Sequence, residues 1–132
     1  MPNFKKIILS IFLLTGAVFA LDWVKDIDTA LKIAKKEHKV VMVMVEGEHS
    51  RWCKKMKGRT LSDDTVEKRL EKFVLVKVMR EDGNAMAKLP PIHGVPTIFF
   101  IKEDREVIEE VVGYFNIEDF ISYISDVEKK IK

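Results

Sequence analysis

The sequence predicts an α/β domain built on a mixed β-sheet that is flanked by helices. Two continuous apolar runs, Val40–Val45 and Phe73–Met79, are typical of strands buried on both faces at the centre of such a sheet. A helical crossover separates these two strands, so we expect them to be parallel and adjacent. The last two predicted strands are joined only by the turn Lys102–Arg105, which is too short for a parallel crossover and makes that pair antiparallel.

The first half of the domain contains two predicted helices. One begins at Asp26 or Asp28, and its apolar residues recur at the helical spacing: Ile27, Ala30, Leu31 and Ala34. The second begins at about Ser50, and we expect Gly58 to kink or end it.

The rest of the domain contains two further predicted helices and the last two predicted strands. Ser62-Asp63-Asp64 supplies a cap and first-turn acids for a further helix. Thr97–Ile101 and Val107–Val112 are the third and fourth strands. Asn116 caps the last helix, whose apolar stripe comprises Ile117, Phe120, Ile121, Ile124, Val127 and Ile131.

The composition fits one ordinary globular domain. The chain has 132 residues, of which 47% are hydrophobic and 33% charged, and these values exclude a disordered chain. Without Lys5 and Lys6, the only charged residues among the first twenty, 21 basic residues face 21 acidic ones. Because a dedicated nucleic-acid surface requires a basic excess, we expect no nucleic-acid partner.

The first twenty residues have the layout of a secretory signal. Met1–Lys6 is positively charged, Ile7–Val18 is almost wholly apolar, and Val18-Phe19-Ala20 suits a signal peptidase. We expect residues 1–20 to be a signal peptide cleaved after Ala20, which leaves residues 21–132 as one domain in the periplasm. The alternative is an uncleaved anchor, but the apolar run is shorter than the roughly 20 residues that a spanning helix needs. We therefore expect no stable membrane insertion after cleavage.

Three segments lie near predicted strand ends, where open sheets bind their ligands: His49–Met56, Gly94–Thr97 and Gly113-Tyr114. The run CKKMKGRTLSD, Cys53–Asp63, resembles the segment that follows the redox motif in the thioredoxin superfamily, and Gly94–Thr97 is similar to that family's cis-proline loop. The likeness is greatest to exported thioredoxin-like domains, such as the C-terminal domain of bacterial thiol:disulfide interchange proteins, and it extends from about Trp23 to the end of the chain.

The resemblance implies a thioredoxin-like fold, with a mixed four-stranded sheet, flanking helices and a cis-proline loop. It also implies a part in thiol–disulfide exchange, with protein thiols and disulfides or extended polypeptide as partners and with no cofactor.

The motif itself departs from the family. It reads Ser50-Arg51-Trp52-Cys53, which puts Ser50 at the position of the family's attacking cysteine and Cys53 at the second position. A rival alignment makes Cys53 the attacking thiol and Met56 the replacement for its partner. In either alignment the single cysteine permits no intramolecular dithiol cycle, since exchange requires a thiolate and a serine hydroxyl has no comparable anion at neutral pH.

The family's buried acid is also missing. Met44 stands at its position, six residues before Ser50, and we expect Glu46 and Glu48 to lie on the loop that follows the strand.

Two functions remain open. In the first, Cys53 forms mixed disulfides with protein thiols, with Ser50 beside it, and the protein belongs to a redox system. In the second, the protein is a non-catalytic module in which Val95, Pro96 and Thr97 pair with an extended polypeptide, and Trp52 adds an exposed aromatic contact.

A weaker alternative is Cu(I) binding by Cys53, Met56 and His49, whose soft and imidazole ligands suit that ion. Three scattered ligands make a weak signature, and core packing of Met56 is the simpler interpretation. Arg51, Lys54, Lys55 and Lys57 surround the motif, and a solvated helix face explains them most simply.

Overall fold

The computed structural model describes residues 21–132, so the predicted signal peptide lies outside the described residues. The strands are β1 (Trp23–Val24), β2 (Val40–Glu46), β3 (Phe73–Met79), β4 (Thr97–Ile101) and β5 (Val107–Val112). They form one sheet in the order β1-β3-β2-β4-β5, and β5 is one outer edge. The central strands β2 and β3 are parallel, and β4 is antiparallel to β5, as predicted. β4 also pairs antiparallel with β2.

The sheet has five strands, one more than the four predicted. The additional strand β1 is parallel to β3, with Trp23 opposite Leu75 and Val24 opposite Val76. Because β1 has only two residues, its sequence carries no periodicity that could reveal it.

The helices are α1 (Ile27–Glu37), α2 (Arg51–Lys55), α3 (Asp64–Leu70), α4 (Gly83–Met86) and α5 (Ile117–Lys130). Each begins after a side chain that accepts a hydrogen bond from a backbone N–H in its first turn: Asp26, Ser50, Asp63, Asp82 and Asn116. Of the two candidate caps of α1, the structure uses Asp26. Its hydrogen bonds with Thr29 hold the pKa of the Asp26 carboxyl below its ordinary value.

A π-helical segment, Met56–Thr60, continues directly from α2 and contains Gly58. The helical hydrogen bonding does not end at this glycine but widens, so that the Leu61 N–H reaches the Met56 carbonyl five residues earlier at 2.9 Å. The Thr60 hydroxyl donates a 2.6 Å hydrogen bond to the carbonyl of Phe115. This bond ties the π-helical segment to the loop between β5 and α5.

The two faces of the sheet bury different cores. Along β2, Val41, Val43 and Val45 pack in the core that includes Ile27, Ala30 and Ala34 of α1. Met42 and Met44 alternate with them and pack on the opposite face, in a core that contains residues of α2, α3 and α5. Every residue of β2 is buried, which is why its sequence is a continuous apolar run. Among residues 21–132, no helix combines the length and the apolar character needed to cross a membrane.

Candidate functional site

The candidate site lies at the end of the sheet where β2 leads into α2 and where the loop before β4 arrives. The two strands are paired there, with Val45 opposite Thr97. Gly47 follows β2, and a Cβ at this position would lie 3.2 Å from Cγ2 of Val95 and 3.1 Å from Nε of Arg80. A glycine therefore allows the chain after β2 to approach Val95 closely, a requirement that the sequence alone does not reveal.

Ser50 is the N-cap of α2. Its backbone is extended, and its Oγ accepts a hydrogen bond from the N–H of Cys53 at 3.2 Å. The Ser50 carbonyl also accepts a hydrogen bond from the N–H of Lys54 at 3.2 Å. The residue at the predicted attacking position thus has a structural role, because it satisfies an N–H group that would otherwise be unpaired at the start of the helix.

Cys53 faces the interior of the protein. Its exposed fraction is only 1%, and it packs in the same core as Met44 and Met56. Since thiol–disulfide exchange requires that the attacking sulfur reach the disulfide, this burial shields Cys53 from an incoming protein disulfide.

Trp52, the neighbour of Cys53, points the other way and is 49% exposed. Its ring lies 6.1 Å from that of Tyr114, with an angle of 36° between the two planes. The Lys55 ammonium lies 5.1 Å from the Trp52 ring centre and 4.6 Å from the Tyr114 ring centre, within the range of cation–π attraction. We call the pair Trp52 and Tyr114 the aromatic platform.

The loop before β4 is held on both sides of its proline. The peptide bond between Val95 and Pro96 is cis, and the Pro96 carbonyl accepts a 2.8 Å hydrogen bond from the N–H of Gly113. The Thr97 hydroxyl donates to the Gly94 carbonyl at 2.7 Å, and both Pro96 and Thr97 are buried. Val95 is half-buried, and within residues 21–132 its own N–H and C=O form no hydrogen bond. Val95 is therefore a residue of this loop, next to the proline, whose backbone is available to another chain.

Glu46 lies in β2, not on the loop where the sequence placed it. It is the last residue of the strand, pairs in register with Met79, and is buried. Its carboxylate forms a 2.6 Å ion pair with the ammonium of Lys57 in the π-helical segment. By strand alternation Glu46 shares the sheet face of Met44, so a paired carboxylate lies on the face that buries Cys53.

The three candidate copper ligands are not equivalent. Cys53 and Met56 share one core, whereas His49 is exposed and has a left-handed backbone with φ of 58°. In the part of the chain that the structure describes, no group of three or more His, Cys, Asp or Glu side chains is arranged to hold a metal ion.

Solved structures of known proteins share this fold. A thioredoxin from Thermus thermophilus matches with a TM-score of 0.70 and 25% identity, over 83% of this chain and 88% of that one. The C-terminal domain of Neisseria meningitidis DsbD, in its oxidised form, matches with a TM-score of 0.62 and 25% identity, over 74% and 90% of the two chains. A putative disulphide-isomerase from Bacteroides thetaiotaomicron has a TM-score of 0.71 at 24% identity, over 83% and 94%, and this match shows the fold alone.

Among curated proteins no match is found. The sequence model of a thioredoxin-like domain matches residues 27–128. This range includes every strand except β1, and it also includes nearly all of α5. This chain therefore belongs to the thioredoxin-like domain family.

Proposed function

We propose that this protein is a non-catalytic thioredoxin-like module that binds extended polypeptide beside Val95 and Pro96. The observation that carries the proposal is the state of the motif: Cys53 is buried, with 1% exposed, and the first motif position is a serine. A periplasmic location is part of the proposal and is supported by the predicted signal peptide, residues 1–20.

A redox cycle within the chain would need two thiols, and the sequence has one. Exchange through Cys53 alone would need the sulfur to reach a partner disulfide, but the sulfur is enclosed by core side chains. The hydroxyl of Ser50 caps α2 and supplies no thiolate. These observations count against mixed-disulfide chemistry at Cys53 with Ser50 beside it.

Polypeptide binding needs no thiol. An extended segment can add its main chain to a free backbone edge, and the N–H and C=O of Val95 offer one such edge. Trp52 is large, exposed and belongs to the helix that begins at the same end of the sheet. Aromatic side chains of this kind contribute much of the binding energy in protein interfaces.

The test is a binding titration with an unfolded polypeptide, reduced and carboxymethylated lactalbumin, followed by fluorescence anisotropy. We expect the wild type and Cys53→Ser to bind equally well and Trp52→Ala to bind at least about fivefold more weakly. Val107→Ala is the matched control, because Val107 is exposed at 37% but pairs with Ile101, at the opposite end of β4 from Thr97.

Two results would contradict the proposal. One is the absence of any binding by the wild type. The other is rapid formation of a Cys53 adduct when the folded protein is incubated with oxidised glutathione, measured by intact mass, because such an adduct would identify a working monothiol.

A further inference from the structure

The segment that contains the motif has a strong excess of positive charge. Between His49 and Ser62 there is no acidic residue, and five basic ones are present: Arg51, Lys54, Lys55, Lys57 and Arg59. Residues 21–132 as a whole have 21 basic and 21 acidic residues, so this excess is local.

Most of this charge is not neutralised within the protein. Among residues 21–132, Lys57 is the only one of the five with a carboxylate within ion-pair distance, and its partner is Glu46. Arg51, Lys54 and Arg59 are exposed, and Lys55 is half-buried. We call these four residues the basic patch: Arg51, Lys54, Lys55 and Arg59.

Lys55 is the member of the basic patch whose ammonium lies against the aromatic platform. Its ammonium lies 4.6 Å from the ring centre of Tyr114 and 5.1 Å from that of Trp52. Ring faces attract the charge, yet an ammonium carries three N–H donors that prefer oxygen acceptors. A carboxylate on a chain lying across the aromatic platform would supply such an acceptor.

We propose that the polypeptide bound at this site is acidic, with its carboxylates on the basic patch and one of them paired with Lys55 above the aromatic platform. This inference rests on the proposed function and specifies its partner. It concerns a polypeptide rather than a nucleic acid or a lipid surface, because the free N–H and C=O of Val95 at the same end of the sheet match a peptide main chain.

The experiment uses three fluorescein-labelled peptides of equal length and identical apolar residues, with Glu, Gln or Lys at the remaining positions. We expect the Glu peptide to bind about tenfold more tightly than the Gln peptide at low ionic strength, and the Lys peptide to bind most weakly. The difference between the Glu and Gln peptides should shrink to about twofold in ~0.5 M salt, because exposed charges are then screened.

Three single-charge variants locate the contact. Lys55→Gln should remove most of the preference for the Glu peptide, and Lys54→Gln, which removes the same charge one residue away from the platform contact, should remove less. Lys35→Gln is the matched control, since Lys35 is exposed in the last turn of α1, and it should leave the preference unchanged.

The outcomes separate this inference from the proposed function. Equal affinity for all three peptides would overturn the inference and leave polypeptide binding in place. No binding of any peptide would overturn both. Binding to phosphatidylglycerol vesicles or to single-stranded DNA in preference to the Glu peptide would also overturn it, because the basic patch would then serve a lipid surface or a nucleic acid.

Discussion

The Oγ of Ser50 accepts a hydrogen bond from the backbone N–H of Cys53 at 3.2 Å, and this contact defines the beginning of α2. The two motif residues are thus joined by a helix cap rather than by thiol chemistry. Substitutions at Ser50 and Cys53 can therefore separate the structural part of the motif from the chemical part.

Replacing the N-cap residue Ser50 should lower the stability of the protein without weakening polypeptide binding. We expect Ser50→Ala to lower the free energy of unfolding by about 0.5–2 kcal/mol, the usual cost of a lost N-cap, as measured by urea denaturation. Polypeptide binding should stay within about twofold of the wild type, because the one hydrogen bond of the Ser50 hydroxyl among residues 21–132 is to the backbone of α2. Ser122→Ala, at an exposed position of α5, is the control and should change the stability little. A loss of binding without a loss of stability would assign Ser50 to the polypeptide contact instead.

Restoring a thiol at the first motif position tests whether the fold can carry redox chemistry. Ser50→Cys places a second thiol three residues before Cys53, and we expect oxidised glutathione to convert the two to a disulfide, taking up two electrons and two protons, seen as a loss of two hydrogen atoms in intact mass. The reduced variant should then reduce insulin, whereas Ser50→Ala should not. Failure of the variant to form the disulfide would mean that the packing of Cys53, and not only the missing thiol, prevents exchange.

The burial of Cys53 makes a direct prediction for its reactivity. We expect iodoacetamide to modify Cys53 at least about a hundredfold more slowly in the folded protein than in guanidinium, because the sulfur becomes accessible only when the surrounding core opens. The measurement is the alkylation rate by mass spectrometry. Similar rates in the two conditions would show that Cys53 is accessible in solution and would favour the alignment in which it is the attacking thiol.

Gly47 provides a test of the loop that carries Val95. In Gly47→Ala the new Cβ would meet Cγ2 of Val95 at 3.2 Å and Nε of Arg80 at 3.1 Å, so these two side chains must move by a few tenths of an ångström. We expect polypeptide affinity to fall by about threefold to tenfold, with a smaller effect on stability. Gly83→Ala is the control, because a Cβ at Gly83 would meet no atom within 4 Å. Unchanged affinity in Gly47→Ala would place the polypeptide away from Val95.

The ion pair between Glu46 and Lys57 should stabilise the end of β2. Lys57→Met would leave the buried Glu46 carboxylate without its partner, and we expect a loss of about 1–3 kcal/mol in the free energy of unfolding. The double variant Glu46→Gln/Lys57→Met should recover part of this loss, since no charge is then buried. Lys88→Met, which breaks the exposed pair with Asp28, is the control and should cost less than about 1 kcal/mol. Equal costs for the two single variants would mean that Glu46 is well solvated.

Much of the architecture was accessible from the sequence. Each central strand is buried along nearly its whole length, so continuous apolar runs such as Val40–Val45 mark it strongly. The error at Glu46 has a physical reason, because the strand continues one residue past the apolar run through its pairing with Met79. The contact between Trp52 and Tyr114 joins residues far apart in the sequence, so only the fold brings them together. The same holds for the close approach of Gly47 to Val95.

The outer strand β5 affects how the protein behaves at high concentration. Its centre carries two adjacent acids: Glu109, which pairs with Lys130 at 2.9 Å, and Glu110, which is exposed. Two copies that met antiparallel through the middle of β5 would place Glu109 opposite Glu109 or Glu110 opposite Glu110, according to the register, and this repulsion opposes edge-to-edge aggregation. A protein that offers free backbone to other chains at one end of its sheet is thereby protected along its flank from joining them in a growing fibril.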